Sequence, residues 1–421
     1  MADSLAHVDT QAFARDLDAL RAEAVREIGH GDLEHLLRME RWGRTAMALG
    51  YATAWVAPNP VSAILLGLGN VARWTIVTHH VLHKGYDRVP GAPARLTSRG
   101  FAAGRRRFVD WFDWFHPEAW CLEHNQLHHY HTSDPLDPDL VEENARAIRD
   151  ATWPLAFKYV AVGFYALTWK FTYYAPNSFQ VLRRAARYRE QGVTPSPARI
   201  ATGEDSYLAA WDVRTTCGRA FWRACVLPYG LGRFVLIPAL FAPLGPLAIF
   251  NVWVNSVGAE LVANLHSFLV IATNHVGDDV WRFEGSPRNR GEFYLRQVAG
   301  SVNFRTGGDV RDFFHGFLNY QIEHHLWPDL PARAYQRLQP KVKTVCERHG
   351  VPYLQVPLWK RIAQLVDTMV GRRSMKRAPH QEVGSRGPST CVPFDMQVPN
   401  SGNEARQFAR PAQPSQVLGN T

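Results

Sequence analysis

Long stretches without Asp, Glu, Lys or Arg constrain the fold of this 421-residue chain more than any other feature. Residues 45–72 contain none of these residues, and residues 234–273 contain only Glu260. A helix needs about 20 apolar residues to cross the hydrocarbon core of a bilayer, so each stretch has room for a pair of helices. Prolines interrupt each stretch, at Pro58-Asn59-Pro60 and within 242–246. The sequence therefore predicts an all-α polytopic membrane protein with four transmembrane helices in two hairpins.

Basic residues in two connecting segments predict how the hairpins are oriented. Segment 84–107 carries seven Lys or Arg against one acid, and segment 178–224 carries eight Arg against four acids, whereas neither hairpin turn is charged. Connections rich in Lys and Arg stay in the cytosol, so we expect both segments and both termini there. The net charge of +9 follows from this bias, and no nucleic-acid partner is expected. The expected location is a bacterial inner membrane or the endoplasmic reticulum.

A third apolar stretch, 152–174, is interrupted by Lys158 and Lys170. The histidine clusters described below must share one side of the membrane, which requires an even number of spans between them. The second hairpin already supplies two spans. We therefore predict that 152–174 lies at the membrane interface, with its lysine heads reaching water.

The two ends of the chain differ in composition from its middle. Residues 1–43 form a predicted amphipathic helical segment in which Asp32 is a candidate N-cap. Residues 44–370 form the predicted membrane domain, in which the second arm of the first hairpin continues to about Leu82. Residues 371–421 are rich in Pro, Ser, Gly and Gln and are predicted to be a disordered tail.

Two charged residues lie inside the apolar stretches. Glu260 is placed in the middle of a predicted span, and Arg73 lies about two turns inside the second arm of the first hairpin. Charges in membrane segments are costly and are usually paired or functional. We expect Glu260 either to pair with Arg73, which would join the hairpins, or to line a substrate tunnel.

Three clusters of histidine lie next to the predicted spans. They occupy residues 79–83 (HHVLH), 124–131 (HNQLHHYH) and 321–328 (QIEHHLWP). On an α-helix, residues four apart share a face, which predicts that His79 pairs with His83 and that His124 pairs with His128. His129 would then lie about 100° round the helix from His128. Adjacent histidines on one helix cannot both face one metal, but they can serve two metals lying side by side.

The number of histidines indicates a metal centre with two ions. Seven or eight imidazoles exceed the three or four donors of a zinc site. Imidazole suits Zn, Cu, Fe and Ni, so the donor type alone does not name the metal. The sequence contains no HExxH, and we interpret its one ExxH, Glu27–His30, as accidental. A carboxylate di-iron site would need paired ExxH motifs.

The order HxxxH, HxxxHH and QxxHH around two hairpins resembles the three histidine boxes of the membrane fatty acid desaturase family. The stretch at 319–330, NYQIEHHLWPDL, is the most specific part. It resembles the third box of the acyl-CoA, acyl-lipid and front-end desaturase branch, in which Gln replaces the first His. The resemblance covers about residues 45–355. It implies four spans and a cytosolic helical cap that holds a non-haem di-iron site.

The resemblance also implies which residues carry the site. By position, the catalytic and metal-binding histidines would be His79, His83, His124, His128, His129, His324 and His325. A further metal ligand follows the fourth span, and His275 is the expected residue, with His266 as the alternative. Residues expected to support the ligands are His80, His266, His315, Gln321 and Glu323, together with Asp134, Asp137 and Asp139.

The implied activity is insertion of a C=C bond into a long acyl chain at the expense of O₂. An unactivated methylene is too weak an acid for any side-chain base, so the reaction needs a metal-based oxidant made from O₂ and two electrons. The chain has no HPGG haem-binding motif. We expect electrons from a separate protein, which would be ferredoxin, rubredoxin or cytochrome b5. The acyl group would arrive on CoA, on acyl carrier protein or in a lipid.

Two other functions are compatible with the pattern. An acyl hydroxylase or acetylenase on the same scaffold would use the same residues. A membrane receptor or zinc hydrolase would use the histidines differently and is the more remote alternative. The double-bond position, chain length, acyl carrier, electron donor and oligomeric state stay open at this point.

Arg105-Arg106-Arg107 lies between the first two histidine clusters. Guanidinium groups bind phosphate oxygens well. We expect this triplet either to orient the protein in the membrane or to bind the phosphates of the acyl carrier.

Overall fold

The computed structural model describes residues 5–201 and 207–378. The regular secondary structure of these residues is helical, apart from a short parallel pairing of strand β1, Trp281–Arg282, with strand β2, Lys376–Arg377. Strand β2 lies within the segment predicted to be a disordered tail. The rest of that tail, from residue 379, lies outside the described residues.

The helices fall into four stretches of the chain. The first stretch contains α1 (Thr10–Arg26), α2 (His30–Ala54) and α3 (Pro60–Leu82). The next contains α4 (Arg107–Asp110), α5 (117–131), α6 (Val141–Asn144), α7 (Arg146–Arg149), α8 (155–190) and α9 (Pro197–Ala201). The second hairpin contains α10 (Thr216–Leu244) and α11 (Pro246–His275). The last stretch contains α12 (Arg290–Ala299), α13 (Asp309–Phe314), α14 (Gln321–Leu326), α15 (Ala332–Arg348) and α16 (Leu358–Met369).

Three-residue and four-residue 3₁₀ turns connect some of these helices, at Ala94–Leu96, Gly104–Arg106, Tyr207–Ala210 and Leu318–Tyr320. Parts of the longer helices are wound as π-helix, namely Ala72–Thr78 in α3, Cys121–His128 in α5, Lys170–Tyr174 in α8, and Trp222–Val226 and Gly232–Leu236 in α10. Such segments are rare and are frequently found at functional sites.

Three helices of the described part are long and apolar enough to cross a membrane: α3, α10 and α11. The sequence predicted a fourth span from residue 45. In the structure this is the C-terminal half of α2, whose uncharged part covers residues 45–54, or about 15 Å of helix. The boundary placed at residues 43–44 falls inside α2. Of the four predicted spans, three therefore have the length and composition of a membrane-spanning helix in the described part of the chain.

The N-terminus of α2 differs from the prediction. Gly29 is the N-cap, and Asp32 lies three residues later, where its carboxylate accepts a hydrogen bond from the Gly29 N–H at 2.9 Å. Asp32 is thus the second member of a capping box rather than the cap itself.

The turn of the first hairpin is held by polar side chains. Asn59 caps α3 by accepting a hydrogen bond from the Ser62 N–H at 2.7 Å, and Pro60 occupies the first helical position. The amide of Asn255 on α11 donates to the carbonyls of Ala54 and Ala57, while its oxygen accepts from the Asn59 N–H at 2.9 Å. This side chain ties the two hairpins together at their turns.

Small residues allow close packing of α3 against its neighbours. A Cβ at Gly69 would lie 2.9 Å from the carbonyl oxygen of Gly43 on α2, and a Cβ at Gly67 would lie 2.7 Å from Val262 on α11. Close approach of this kind is typical of helix packing in membranes. Helix α3 is consequently the central helix of the membrane part.

The second hairpin begins earlier than predicted. Helix α10 starts at Thr216 and includes Arg219, Arg223 and Arg233, so the end of the basic segment 178–224 is helical. Gly245 closes the turn with φ +95, a conformation that glycine adopts without a Cβ clash.

Arg73 and Glu260 do not pair with each other. Arg73 faces α2, where its Nη1 lies 2.7 Å from Glu40. Glu260 faces α10, where it lies 3.6 Å from Arg233 and accepts a hydrogen bond from Tyr229, and it also accepts one from the indole of Trp114 in the segment before α5. The predicted ion pair was wrong because each charge is neutralised by the neighbouring arm of its own hairpin.

Helix α8 covers the stretch predicted to lie at the interface. It exposes Phe157, Val160 and Phe164, but Lys170 is buried and its Nζ lies 2.8 Å from Asp113. The same ammonium lies over the ring of Trp74 at 5.2 Å. Lys170 therefore does not reach water as predicted, because a buried carboxylate and an aromatic face compensate its charge.

A helical cap covers the histidine-bearing ends of the membrane helices. Its core contains Phe13 of α1, Tyr294 of α12, Leu326 of α14 and Tyr335 of α15, all fully buried. The cap encloses the site described next.

Candidate metal centre

Eight buried histidines meet beneath the cap. They come from the end of α3, from α5, from the end of α11 and from α14. Because these elements are far apart in the chain, the tertiary fold alone brings the histidines together.

The first group contains five histidines whose ring nitrogens all lie within 4.8 Å of one another: His79, His83, His124, His129 and His324. The Nε2 atom of His79 lies 2.9 Å from that of His324 and 3.2 Å from that of His124. The rings of His83 and His129 are 4.4 Å apart between centroids. Several imidazole nitrogens thus point at one small volume.

The second group lies directly beside the first and contains His128, His275 and His325. The rings of His275 and His325 are 4.4 Å apart, and those of His128 and His275 are 4.9 Å apart. Asp139 also lies within 4.8 Å of ring nitrogens of His124 and His128. Both adjacent pairs, 128–129 and 324–325, are divided between the groups, as the sequence predicted for two neighbouring centres.

The π-helical winding of α5 adds one pairing to the prediction. The sequence argument assumed α-helical geometry and paired His124 with His128, and the two rings are stacked, 5.1 Å apart. In the structure, the His129 N–H also bonds to the His124 carbonyl, five residues back. His124 therefore shares the first group with His129, and it also lies next to His128 of the second group.

Burial keeps these imidazoles neutral. Burial first, and neighbouring histidines second, lower the pKa well below 6.5 for His83, His124, His129, His324 and His325. Neutral imidazole is the form that binds metals. For His128, burial lowers the pKa, but Asp137 outweighs it and the net pKa is raised.

Unsatisfied nitrogens provide a test of whether metal ions fit this site. Both ring nitrogens of His83 and of His129, and Nε2 of His325, are buried without a hydrogen-bond partner among the described residues. Leaving a buried polar atom unpaired costs about 1–3 kcal/mol. Metal coordination would satisfy these atoms, so the donor set fits a pair of transition-metal ions.

Comparison with known proteins agrees with the geometry. The sequence matches the family described as fatty acid desaturase over residues 53–357, which are 305 of the 421 residues. The chain belongs to the fatty acid desaturase family. The predicted recognition, and with it an enzyme that desaturates fatty acids in a membrane, is confirmed.

Curated relatives of this desaturase come from bacteria and eukaryotes. The NADPH-dependent stearoyl-CoA 9-desaturase of Mycobacterium tuberculosis is 26% identical over 376 residues, which cover 83% of this chain and 78% of that protein. The acyl-lipid (7-3)-desaturase of Rebecca salina is 28% identical over 349 residues, covering 80% and 71%. Fatty acid desaturase 3 of Bos taurus is 43% identical over 121 residues, covering 28% and 25%.

Hydrogen bonds to the Nδ1 atoms of three site histidines hold their rings in place. The carboxylate of Asp137 lies 2.8 Å from Nδ1 of His128, and the carbonyl of Gly300 accepts from Nδ1 of His275 at 2.9 Å. The side chain of Gln297 lies 2.9 Å from Nδ1 of His325. Such contacts fix ring orientation. Gln297 was missed, because a glutamine on an amphipathic helix gives no signal in the sequence.

Of the residues expected to support the metal ligands, some lie inside the site and others lie outside it. Gln321 places its amide nitrogen 3.0 Å from Nε2 of His275, inside the site. Glu323 instead faces away and bonds to Asn303 and Tyr353, and burial raises its pKa to about 7. Asp134 contacts His131 rather than a member of either group.

Three other histidines lie outside both groups. The Nδ1–H of His80 donates a hydrogen bond to the Ile76 carbonyl at 2.9 Å. His266 contacts the Phe314 carbonyl at 2.7 Å, and His315 packs against the ring of Phe304. Of the two residues considered for the eighth position, the structure therefore brings His275 into the site and not His266.

A cavity leads to the histidines from the side of α8 and α16. The space between its walls is about 830 Å³ when open solvent at its mouth is included, and about 60 Å³ of it is wide enough for the centre of a water molecule. Apolar and aromatic side chains form most of its wall, among them Trp74, Tyr165, Trp169, Phe268 and Met369. At its inner end lie His79, His124, His128, His275 and Gln321.

The arginine triplet is largely occupied by structural contacts. Arg106 makes a two-pronged contact with Asp110, at 2.9 and 2.8 Å, and Arg107 donates to the Ala224 carbonyl at 2.8 Å. These bonds tie the segment to α4 and α10, which weakens the expectation that the triplet binds carrier phosphates.

Proposed function

We propose that this desaturase inserts a C=C bond into a long acyl chain with O₂, using two irons held by the eight buried histidines. The observation that carries the proposal is the division of these residues into adjoining groups of five and three. The expected ligands are His79, His83, His124, His128, His129, His275, His324 and His325.

When bound, the iron pair would supply, with O₂, two electrons and two protons, the oxidant that removes one hydrogen from each of two neighbouring methylenes, giving C=C and two waters. The protein's own part is positioning. Trp74, Trp169 and Phe268 form an apolar wall along which an acyl chain can lie with its reacting carbons beside His79 and His128. The same wall excludes water from the site.

We further propose that the histidines face the cytosol. The three membrane-length helices and the shorter α2 would make two hairpins whose turns face outward, and the termini would be cytosolic, in a bacterial inner membrane or the endoplasmic reticulum. The positive segment 84–107 supports this orientation. A cysteine placed at Ala57 should react with an impermeant outside reagent, and one at Arg105 should not. The reverse pattern would contradict the orientation.

The names of the relatives suggest which substrate to test first. The Mycobacterium tuberculosis relative is named for stearoyl-CoA and the Rebecca salina relative for an acyl lipid. We propose a long saturated acyl-CoA as the first substrate to test, with acyl lipid and acyl carrier protein as alternatives. A separate ferredoxin, rubredoxin or cytochrome b5 would deliver the electrons.

Metal analysis and product analysis test the proposal together. The purified protein should contain two irons, and His325→Ala should lower this number and abolish activity. His266→Ala is the matched control, because His266 lies outside both groups, and it should keep its iron. One zinc without iron would refute the di-iron site. A hydroxylated product in mass spectrometry, instead of one lighter by two hydrogens, would assign the site to the hydroxylase alternative.

A further inference from the structure

A polar notch interrupts the apolar outer surface of the first hairpin. Glu40 of α2 lies at its centre, 2.9 Å from Arg44, 2.7 Å from Arg73 and 3.4 Å from Arg95. The carboxylate side chain is only 5% exposed, whereas the arginine side chains are 63%, 19% and 37% exposed, respectively. We use the name arginine notch for these four residues.

The arginine notch carries an excess of positive charge and of hydrogen-bond donors. Three guanidinium groups and one carboxylate give a local charge of +2. Each guanidinium has five N–H donors, about fifteen in total, whereas a carboxylate offers about four acceptor sites. Arg73 uses a further donor on the Val109 carbonyl at 3.4 Å. The donors that remain form planar forks of the kind that match phosphate oxygens.

The position of the arginine notch along α2 and α3 brings it within reach of a lipid headgroup. Glu40 precedes the end of α2 at Ala54 by fourteen residues, and Arg73 follows the start of α3 at Pro60 by thirteen, which is about 20 Å of helix in each case. Arg73 also lies six residues before His79, so the notch is on the histidine-bearing side of the first hairpin, which the proposed orientation places at the cytosolic leaflet.

Apolar side chains border the notch where lipid tails would lie. Phe108 and Val109 are exposed beside Arg73, which contacts the Val109 carbonyl. A free nucleotide phosphate has no acyl chain that could pack against these apolar side chains. A glycerophospholipid matches both parts, because its phosphate fits the guanidinium groups and its chains fit the exposed side chains.

We propose that the arginine notch is a binding site for one anionic glycerophospholipid of the cytosolic leaflet. The phosphate bridges Arg44, Arg73 and Arg95, and so connects α2 and α3 to the cytosolic segment that follows the first histidine cluster. The proposal rests on the membrane placement proposed above and not on the chemistry of the histidine site.

Lipid retention in nanodiscs tests the site. The protein is placed in phosphatidylcholine nanodiscs containing a minor fraction of phosphatidylglycerol, and bound lipid is counted by native mass spectrometry. The wild type should retain one phosphatidylglycerol. Arg44→Gln with Arg95→Gln should weaken this binding by on the order of 30-fold, and Arg95→Gln alone by about fivefold. Unchanged retention in these variants would overturn the proposal.

A matched control separates a built site from general charge attraction. Arg348→Gln with Lys343→Gln removes two cationic side chains that also pair with acids, Asp16 and Glu347, on the cap. This variant should retain phosphatidylglycerol as the wild type does, and an equal loss would refute a specific site. Displacement of the lipid by free CoA would instead assign the arginines to a carrier phosphate and overturn the lipid assignment.

Iron content distinguishes this proposal from the proposed function. The glutamine variants should keep two irons in pure phosphatidylcholine, since none of the substituted residues contacts the histidines. If the double variant loses its fold, Arg44→Lys with Arg95→Lys takes its place. This lysine variant keeps both charges and should retain most of the phosphatidylglycerol binding. If it binds phosphatidylglycerol no better than the Arg95→Gln variant, the proposal is refuted.

Discussion

Replacing Asp137 by Asn should weaken metal binding without disturbing the fold. The Asp137 carboxylate is buried and its Oδ1 lies 2.8 Å from Nδ1 of His128. The same carboxylate accepts the backbone N–H of Asp139 at 2.9 Å and that of Ser133 at 2.8 Å. It therefore fixes the His128 ring while it closes the loop that follows α5.

The size of the effect follows from these bonds. An asparagine keeps one acceptor oxygen but turns an NH₂ group towards either His128 or the Ser133 N–H. A hydrogen bond to a charged group contributes about 1.5–3 kcal/mol. Loss of such an outer contact typically lowers metal affinity about 10–100-fold. We expect Asp137→Asn to lower the chelator concentration that removes half of the iron by that factor.

Asp134→Asn is the matched control for this measurement. Asp134 makes the same kind of contact, 2.9 Å from Nδ1 of His131, three residues earlier in the chain. His131 belongs to neither histidine group of the described structure. Chelator titration followed by elemental analysis should therefore show wild-type behaviour for Asp134→Asn. Equal iron retention in both variants, or equal loss, would refute the role given to Asp137.

Three further predictions follow from burial. Since burial lowers the pKa of five site histidines, the unfolded chain binds more protons than the folded one below pH 6.5. The metal-free protein should therefore lose stability as the pH falls through 6.5, and a flat pH profile of denaturation would contradict this. Glu260→Gln leaves Arg233 without its carboxylate partner and should lower the free energy of unfolding by about 3–5 kcal/mol. The unfolding temperature should fall while the iron content stays the same, and an unchanged temperature would contradict this prediction. Ala272→Phe fills part of the cavity and should shift activity towards shorter acyl chains, whereas an unchanged product profile would place the chain elsewhere.

Much of this architecture could be predicted because it depends on local composition. The uncharged stretches gave the helical hairpins, and the proline-bounded turns were placed within a few residues. The split of adjacent histidines between two groups followed from helix geometry alone. The family was confirmed because its motifs are short, contiguous and specific.

The errors came from tertiary partners that composition does not show. Lys170 looked like an interfacial residue until Asp113, 57 residues away in the chain, neutralised it in the interior. Arg73 was paired with the wrong acid, because a sequence does not show which face of a helix meets which neighbour. The support of His325 by Gln297 depends on a helix 28 residues earlier.

The π-helical segment Cys121–His128 makes α5 tolerant of a change of one residue in its length. A π-turn holds one more residue than an α-turn, so deleting one residue between His124 and His128 would let the segment rewind as an ordinary α-helix from its anchor at Trp120. The last histidine would then follow His124 by four residues instead of five, and it would stay on the same face of the helix. Both spacings therefore bring the same two histidines together. Comparisons of related enzymes should align α5 on its histidines and treat a gap of one residue between them as a change in helix winding.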